Sequence, residues 1–140
     1  MVARGEVPLE ELEVIHNKME TLLGKEGAYL SAIYFWPHYP FKGYKGECRE
    51  MKFDGDWRKP KPGMLLKAAQ DFNIDLSQSW TNSNGKNDIK ASQNTRCRTA
   101  LIGSEPYGQT VTLSSLKNFA EQYLKSKAKS RNCPTEYKYY

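Results

Sequence analysis

The stretch SWTNSNGKNDIKA, residues 79–91, followed by CRTALIG, residues 97–103, decides the fold class of this chain. After Ser79 and the apolar Trp80, the stretch continues through a loop of Asn, Ser and Gly, and then shows a short helical pattern. A buried-strand pattern follows and ends at Gly103. Strand, helix and strand in this order are typical of a parallel arrangement. The segment predicts an α/β fold in which a polar loop follows a strand.

Three amphipathic helices are predicted around this unit. Apolar residues at three- and four-residue spacing form one stripe on the first, within residues 8–27, and they are Leu9, Leu12, Ile15, Met19, Leu22 and Leu23. The second, within residues 61–75, starts near Pro62, ends near Asn73 and turns Leu66 inward. The third lies within residues 112–129 and has Phe119 on its apolar face.

A further strand is predicted for AYLSAIYFW, residues 28–36, which is short, apolar and rich in aromatic side chains. Pro37 and Pro40 prevent its continuation. Residues 41–57 are polar and contain glycines, which predicts a long loop, with or without a short hairpin.

Composition bounds the class of protein. The chain has 140 residues, which suggests one domain, and 21 basic against 16 acidic residues give a net charge of +5. Much of the excess lies in residues 124–140, and residues 129–140 are expected to form a basic and aromatic tail. A charge of this size makes weak attraction to nucleic acid possible but does not argue for it. Three widely spaced cysteines fit a reducing compartment. We find neither a signal-peptide pattern nor a membrane-span pattern, and the expected location is the cytoplasm.

The sequence WRKPKPGM, residues 57–64, places Arg58 and Lys59 before two prolines. Cations on a stiff backbone suit a phosphate group, because Arg offers a planar fork and Lys a point charge. A basic surface loop leading into a helix that starts with proline explains the same residues equally well.

Together, WRKPKPGM, WTNSNGKNDIKA and CRTALIG resemble the haloacid dehalogenase (HAD) superfamily of phosphatases. They are most similar to the branch with heptose-bisphosphate and histidinol phosphatases, where C-R-K-P-x-P-G-M-L precedes a helix, and G-D-x-x-x-D-I and G-C-x-T-x-L-I follow. The resemblance is strongest over residues 5–103. It implies a HAD-like (Rossmann-like) three-layer sandwich, formed here by residues 1–128.

The resemblance also implies a chemistry. In the superfamily an Asp attacks phosphorus, a Lys matched here by Lys59 stabilises the phosphoryl charge, and acids in the G-D-x-x-x-D motif hold Mg²⁺. Arg58 and Lys59 would then bind a sugar phosphate, and residues 84 and 88 would hold the metal.

Departures from the pattern indicate lost activity. The nucleophile motif D-x-D-G-T does not occur in this sequence. Asn84 stands at the metal-binding Asp, which leaves Asp88 in a weak, degenerate Mg²⁺ site, since Mg²⁺ favours carboxylates. No cofactor is therefore expected for this chain.

A structural zinc site is also implied, in the long loop of residues 36–57. Its three Cys and one His match Trp36, His38, Gly55 and Trp57, so His38 is the one remaining ligand. Cys48 lies in the same loop but does not match any of the four ligand positions.

The sandwich would lack its first two core strands, because the nucleophile strand and the strand after it have no match here. An unpaired sheet edge would remain, and it would invite a second copy or a complementing chain. The leading interpretation is a degenerate, inactive phosphatase of heptose-bisphosphate type. The alternatives are a pseudoenzyme that binds a sugar phosphate or a protein, and a phosphatase completed by a second chain.

Overall fold

The computed structural model describes residues 2–124, and these fall into two compact units, residues 2–55 and residues 56–124. The tail predicted for residues 129–140 lies outside the described residues. No helix within residues 2–124 has the length and apolar character needed to cross a bilayer.

The first unit consists of one helix and a long loop. Helix α1 spans Leu9–Lys25 and follows Pro8, with Glu10 and Glu11 in its first turn. Acidic side chains there interact favourably with the helix dipole. The predicted apolar stripe is present but is only partly covered, since Ile15, Met19 and Leu22 are 49%, 37% and 54% exposed.

A short 3₁₀ turn, Val2–Arg4, anchors the loop of the first unit. The Ala3 amide donates to the Pro37 carbonyl oxygen at 3.0 Å, and the Ala3 carbonyl oxygen accepts from the Cys48 amide at 3.3 Å. Gly5 has a φ of +72°, and a side chain there would overlap the Gly46 carbonyl group. Glycine at this position therefore allows two backbone segments to meet.

The prediction of a strand at residues 28–36 is wrong. Apart from a bend at residue 31 these residues have no regular secondary structure, and no strand lies elsewhere in residues 2–55. Aromatic and β-branched side chains favour extended backbone, yet a strand also needs a neighbour that accepts its hydrogen bonds.

The second unit contains the predicted α/β arrangement. Helix α2 spans Gly63–Phe72, strand β1 Trp80–Ser83, helix α3 Lys86–Gln93 and strand β2 Arg98–Ile102. Strand β3, Val111–Leu113, and helix α4, Leu116–Phe119, follow, and the chain continues as a π-helical turn over Ala120–Leu124. Short 3₁₀ turns lie at Arg49–Met51 in the first unit and Leu76–Gln78 in the second.

The sheet has the order β1-β2-β3 and all neighbours are parallel. Trp80 pairs with Arg98, and Ser83 with Leu101. Consecutive β2 residues Thr99, Ala100 and Leu101 are all buried, so both faces of this central strand are covered. An α/β fold with a parallel sheet, as predicted, is therefore present.

Three details of the second unit differ from the sequence prediction. Strand β3 was not predicted, because a three-residue Val-Thr-Leu run among Thr and Ser residues is a weak signal. Leu66 is 52% exposed and does not face inward. The last helix keeps α geometry only to Phe119 before the π turn. Asn73, in contrast, ends α2 as predicted, and it does so in the left-handed conformation, with φ of 50°.

Candidate functional site

The site lies where β1 ends and α3 begins. Ser83 closes the strand, Asn84 is exposed, and Gly85 is the N-cap of α3. The Gly85 amide donates to the Ser83 hydroxyl oxygen at 3.1 Å, which shapes the turn. Ligands of open α/β sheets bind at this carboxyl edge of the strands.

Lys59 and Asp88 meet at this edge. The Lys59 ammonium forms an ion pair with Asp88 Oδ1, and the two side chains are 46% and 25% exposed. The structure thus brings together two residues that are distant in sequence but were both predicted from the motifs.

The backbone that carries Lys59 is held by its own turn and by the end of α3. The Lys61 amide donates to the Arg58 carbonyl oxygen at 3.0 Å. The Gly63 amide donates to the Asp56 carbonyl oxygen, also at 3.0 Å. Asn94 Nδ2 also donates to the Pro60 carbonyl oxygen at 3.3 Å. Arg58 lies in the same turn, and its role toward a phosphate remains a prediction.

Gly85 is a site residue that the sequence did not indicate. A Cβ atom built there would lie 2.7 Å from Asp88 Oδ2. Its φ of −118° suits any residue, so glycine is needed for space and not for backbone freedom. The missing side chain lets the Asp88 carboxylate fold back over the start of α3, toward Lys59. A single glycine in a polar loop gives no such signal in a sequence.

The residues at this edge do not fit Mg²⁺ well. Asn84 offers a neutral amide, and the Asp88 carboxylate is already neutralised by Lys59. Mg²⁺ loses its bound water molecules with difficulty, and it is usually held by carboxylates or substrate phosphates.

The positions predicted for zinc are filled mainly by aromatic packing. In the first unit, the His38 ring lies 4.5 Å from that of Trp36 and 4.0 Å from that of Phe53, measured between centroids. No group of three His, Cys, Asp or Glu side chains that could hold a metal occurs within residues 2–124.

Comparisons with known proteins agree with the motifs. No family model matches the chain. The D-glycero-β-D-manno-heptose-1,7-bisphosphate 7-phosphatase of Pseudomonas putida is 33% identical over 105 residues, which cover 75% of this chain and 50% of the relative. The enzyme of the same name from Pseudomonas aeruginosa is 32% identical, with 72% of this chain and 51% of the relative covered. The chain therefore spans about half the length of these curated relatives.

Solved structures show the same relationship. A D,D-heptose 1,7-bisphosphate phosphatase from B. bronchiseptica, crystallised with magnesium and phosphate, superposes with a TM-score of 0.72 and 27% identity. The superposition covers 89% of this chain and 69% of that one. A HAD-like phosphatase from Mesorhizobium loti shares the fold, with a TM-score of 0.61, 20% identity, and 80% and 55% of the two chains covered. With its three motifs in order on this fold, the chain belongs to the haloacid dehalogenase superfamily of phosphatases.

Proposed function

We propose that this chain is a member of the heptose-bisphosphate phosphatase branch that does not hydrolyse phosphate monoesters by itself. The observation that carries the proposal is the ion pair between Lys59 and Asp88, next to Asn84. It leaves no free carboxylate among these three residues.

The charge balance supports this function. Transfer of a phosphoryl group needs cations that neutralise the charge developing on its oxygens, and a metal ion usually supplies part of that charge. Here one ammonium and one carboxylate cancel each other, and the third position is neutral. A metal ion arriving at Asp88 would have to displace Lys59.

Recognition of a phosphate can persist without hydrolysis. The Lys59 side chain is about half exposed, so its ammonium can exchange Asp88 for a phosphate oxygen. Because two relatives are named heptose-1,7-bisphosphate 7-phosphatases, a sugar phosphate is the ligand class that we propose.

The direct test is phosphate release from D-glycero-D-manno-heptose 1,7-bisphosphate by the full chain in the presence of Mg²⁺. We expect no turnover above buffer. Lys59→Ala is the control, because contaminating phosphatase would be insensitive to it. Turnover that disappears in Lys59→Ala would show that the chain is a phosphatase, and the proposal would fail.

Asn84→Asp should raise the affinity for Mg²⁺ by at least about tenfold, since it adds a carboxylate beside Asp88. Isothermal titration calorimetry measures this change. Asn87→Asp is the matched control, because it adds the same charge to the first turn of α3. An equal gain in both variants would show that Mg²⁺ responds to net charge alone. We expect no phosphate release from either variant.

A second candidate function is that of an interaction module, and the position of β1 at one edge of the sheet favours it. Among the described residues β1 forms a ladder only with β2. Sheet edges with unpaired backbone groups readily accept another strand.

A second copy of this chain is the partner that we propose for this edge. Sedimentation equilibrium over a range of concentrations should then show a dimer that dissociates on dilution. Cross-linking at introduced cysteines, Ser83→Cys at the end of β1 and separately Thr112→Cys on β3 at the opposite edge of the sheet, locates the interface. A monomer at all concentrations, or a cross-link only at residue 112, would argue against pairing through β1.

A further inference from the structure

The long loop of the first unit is closed by a cluster of three rings, Trp36, His38 and Phe53, which we call the aromatic cluster. The Trp36 and Phe53 rings meet edge to face, with centroids 5.5 Å apart and an interplanar angle of 85°. His38 lies 4.5 Å from Trp36 and 4.0 Å from Phe53. These separations are those of favourable aromatic pairs or slightly closer, so the rings are in direct contact.

Gly55 completes this contact from the other end of the loop. A Cβ atom built at Gly55 would overlap the Cη2 and Cζ2 atoms of the Trp36 ring. The backbone at Gly55 therefore lies directly against the indole. The Tyr39 amide also donates to the Met51 carbonyl oxygen at 3.0 Å, and this hydrogen bond joins the two halves of the loop between these contacts.

His38 has the environment of a packed ring and not of a metal ligand. Its Nδ1 atom is buried and has no hydrogen-bond partner among the described residues. Burial lowers the pKa of His38, although a hydrogen bond with the Met51 backbone opposes this effect. The neutral imidazole, which burial favours, packs against both aromatic rings, although its unpartnered Nδ1 atom reduces the net gain.

The positions beside His38 cannot complete a zinc site. Structural zinc is held by four Cys or His ligands, and Trp36 and Gly55 stand where the resemblance places two of them. Cys48 is half-buried, and within residues 2–124 it does not belong to any group of three His, Cys, Asp or Glu side chains that could hold a metal.

We propose that packing of the aromatic cluster against Gly55 replaces zinc as the closure of this loop. The loop then forms without metal, and His38 contributes a ring in place of a coordinating nitrogen. This inference does not depend on whether the chain hydrolyses, binds or ignores a sugar phosphate.

Metal dependence is the first test. The full chain, produced with added zinc, is analysed for bound zinc by mass spectrometry, and its thermal unfolding is compared with and without a chelator. We expect no stoichiometric zinc and the same melting temperature in both conditions. One zinc per chain, lost together with stability on chelation, would overturn the proposal.

Two substitutions separate ring packing from ligation. His38→Phe keeps a ring but removes both nitrogens, so we expect the melting temperature to stay within about 2 °C of the parent or to rise, given that ~1 kcal/mol shifts a domain of this size by a few degrees. His16→Phe is the matched control, because His16 lies on α1 with its ring 5.5 Å from that of Phe35. A loss of stability in His38→Phe alone would favour ligation and contradict the proposal.

Gly55→Ala tests the contact from the other side of the loop. The added methyl group must displace the Trp36 ring, so we expect the melting temperature to fall by about 4 °C or more. Gly24→Ala is the control, because Gly24 lies in the last turn of α1 and a Cβ atom there would lie 3.9 Å from Tyr29 Cε1, an ordinary contact. This variant should be neutral or stabilising. Equal behaviour of the two alanine variants would exclude closure through Gly55.

Discussion

Replacing Ile89 with alanine is expected to lower the free energy of unfolding by about 2–5 kcal/mol. Ile89 is 0% exposed on α3, the helix that packs on β1 and β2. The substitution removes buried methyl and methylene groups and leaves a cavity between helix and sheet, which the surrounding structure fills only in part. Urea denaturation followed by circular dichroism measures the change.

Ile74→Ala is the matched control for Ile89→Ala, because the same side chain is 40% exposed there. We expect a loss below about 1 kcal/mol, since less apolar surface returns to water. Similar losses in the two variants would mean that α3 is not seated on the sheet as described. The position of Asp88, one residue before Ile89, would then also be in question.

Phe119→Ala is expected to have an effect of similar size, about 3–5 kcal/mol. Phe119 is 3% exposed, and its ring lies 5.3 Å from that of Trp80 and 5.4 Å from that of Tyr123, measured between centroids. These rings join β1 to the turn that follows α4, and aromatic contacts of this kind add to the area that they bury. Denaturation followed by tryptophan fluorescence and by circular dichroism measures the loss.

Leu116→Ala lies on the same helix and provides the comparison for Phe119→Ala. Leu116 is 61% exposed, so we expect its loss to stay below about 1 kcal/mol. If Phe119→Ala costs no more than Leu116→Ala, the three rings do not form part of the core.

The βαβ unit could be predicted from the sequence because its signals are local. Turn residues separate β1 from α3, and the apolar run Ala100–Ile102 indicates a buried strand without reference to distant residues. Residues 28–36 have an equally strong propensity for strand. Whether they form a strand depends on a second segment that could pair with them, and their own sequence does not show whether one is present. Propensity gives the preferred backbone shape, and tertiary contacts decide whether a ladder forms.

The candidate site could be predicted only in part. Lys59 and Asp88 were singled out from separate motifs, yet nothing in either motif shows that one neutralises the other. Gly85 matters because the Asp88 side chain occupies the space that a Cβ atom at residue 85 would need. The rotamer of Asp88 cannot be inferred from the sequence. The role of Gly55 could not be predicted either, because it depends on the Trp36 indole that packs against its backbone.

The parallel pairing of β1 with β2 has a consequence for the order of folding. Strands β1 and β2 are joined by residues 84–97, which contain α3 and a short turn at each end. Closing a loop of this length costs less chain entropy than pairing segments that lie farther apart in the sequence. We expect amide protons of β1 and β2 to become protected in one early kinetic phase during refolding, which pulse-labelling hydrogen exchange can measure. Separate phases for the two strands would show that the loop carrying Asn84 is ordered only after more distant contacts have formed.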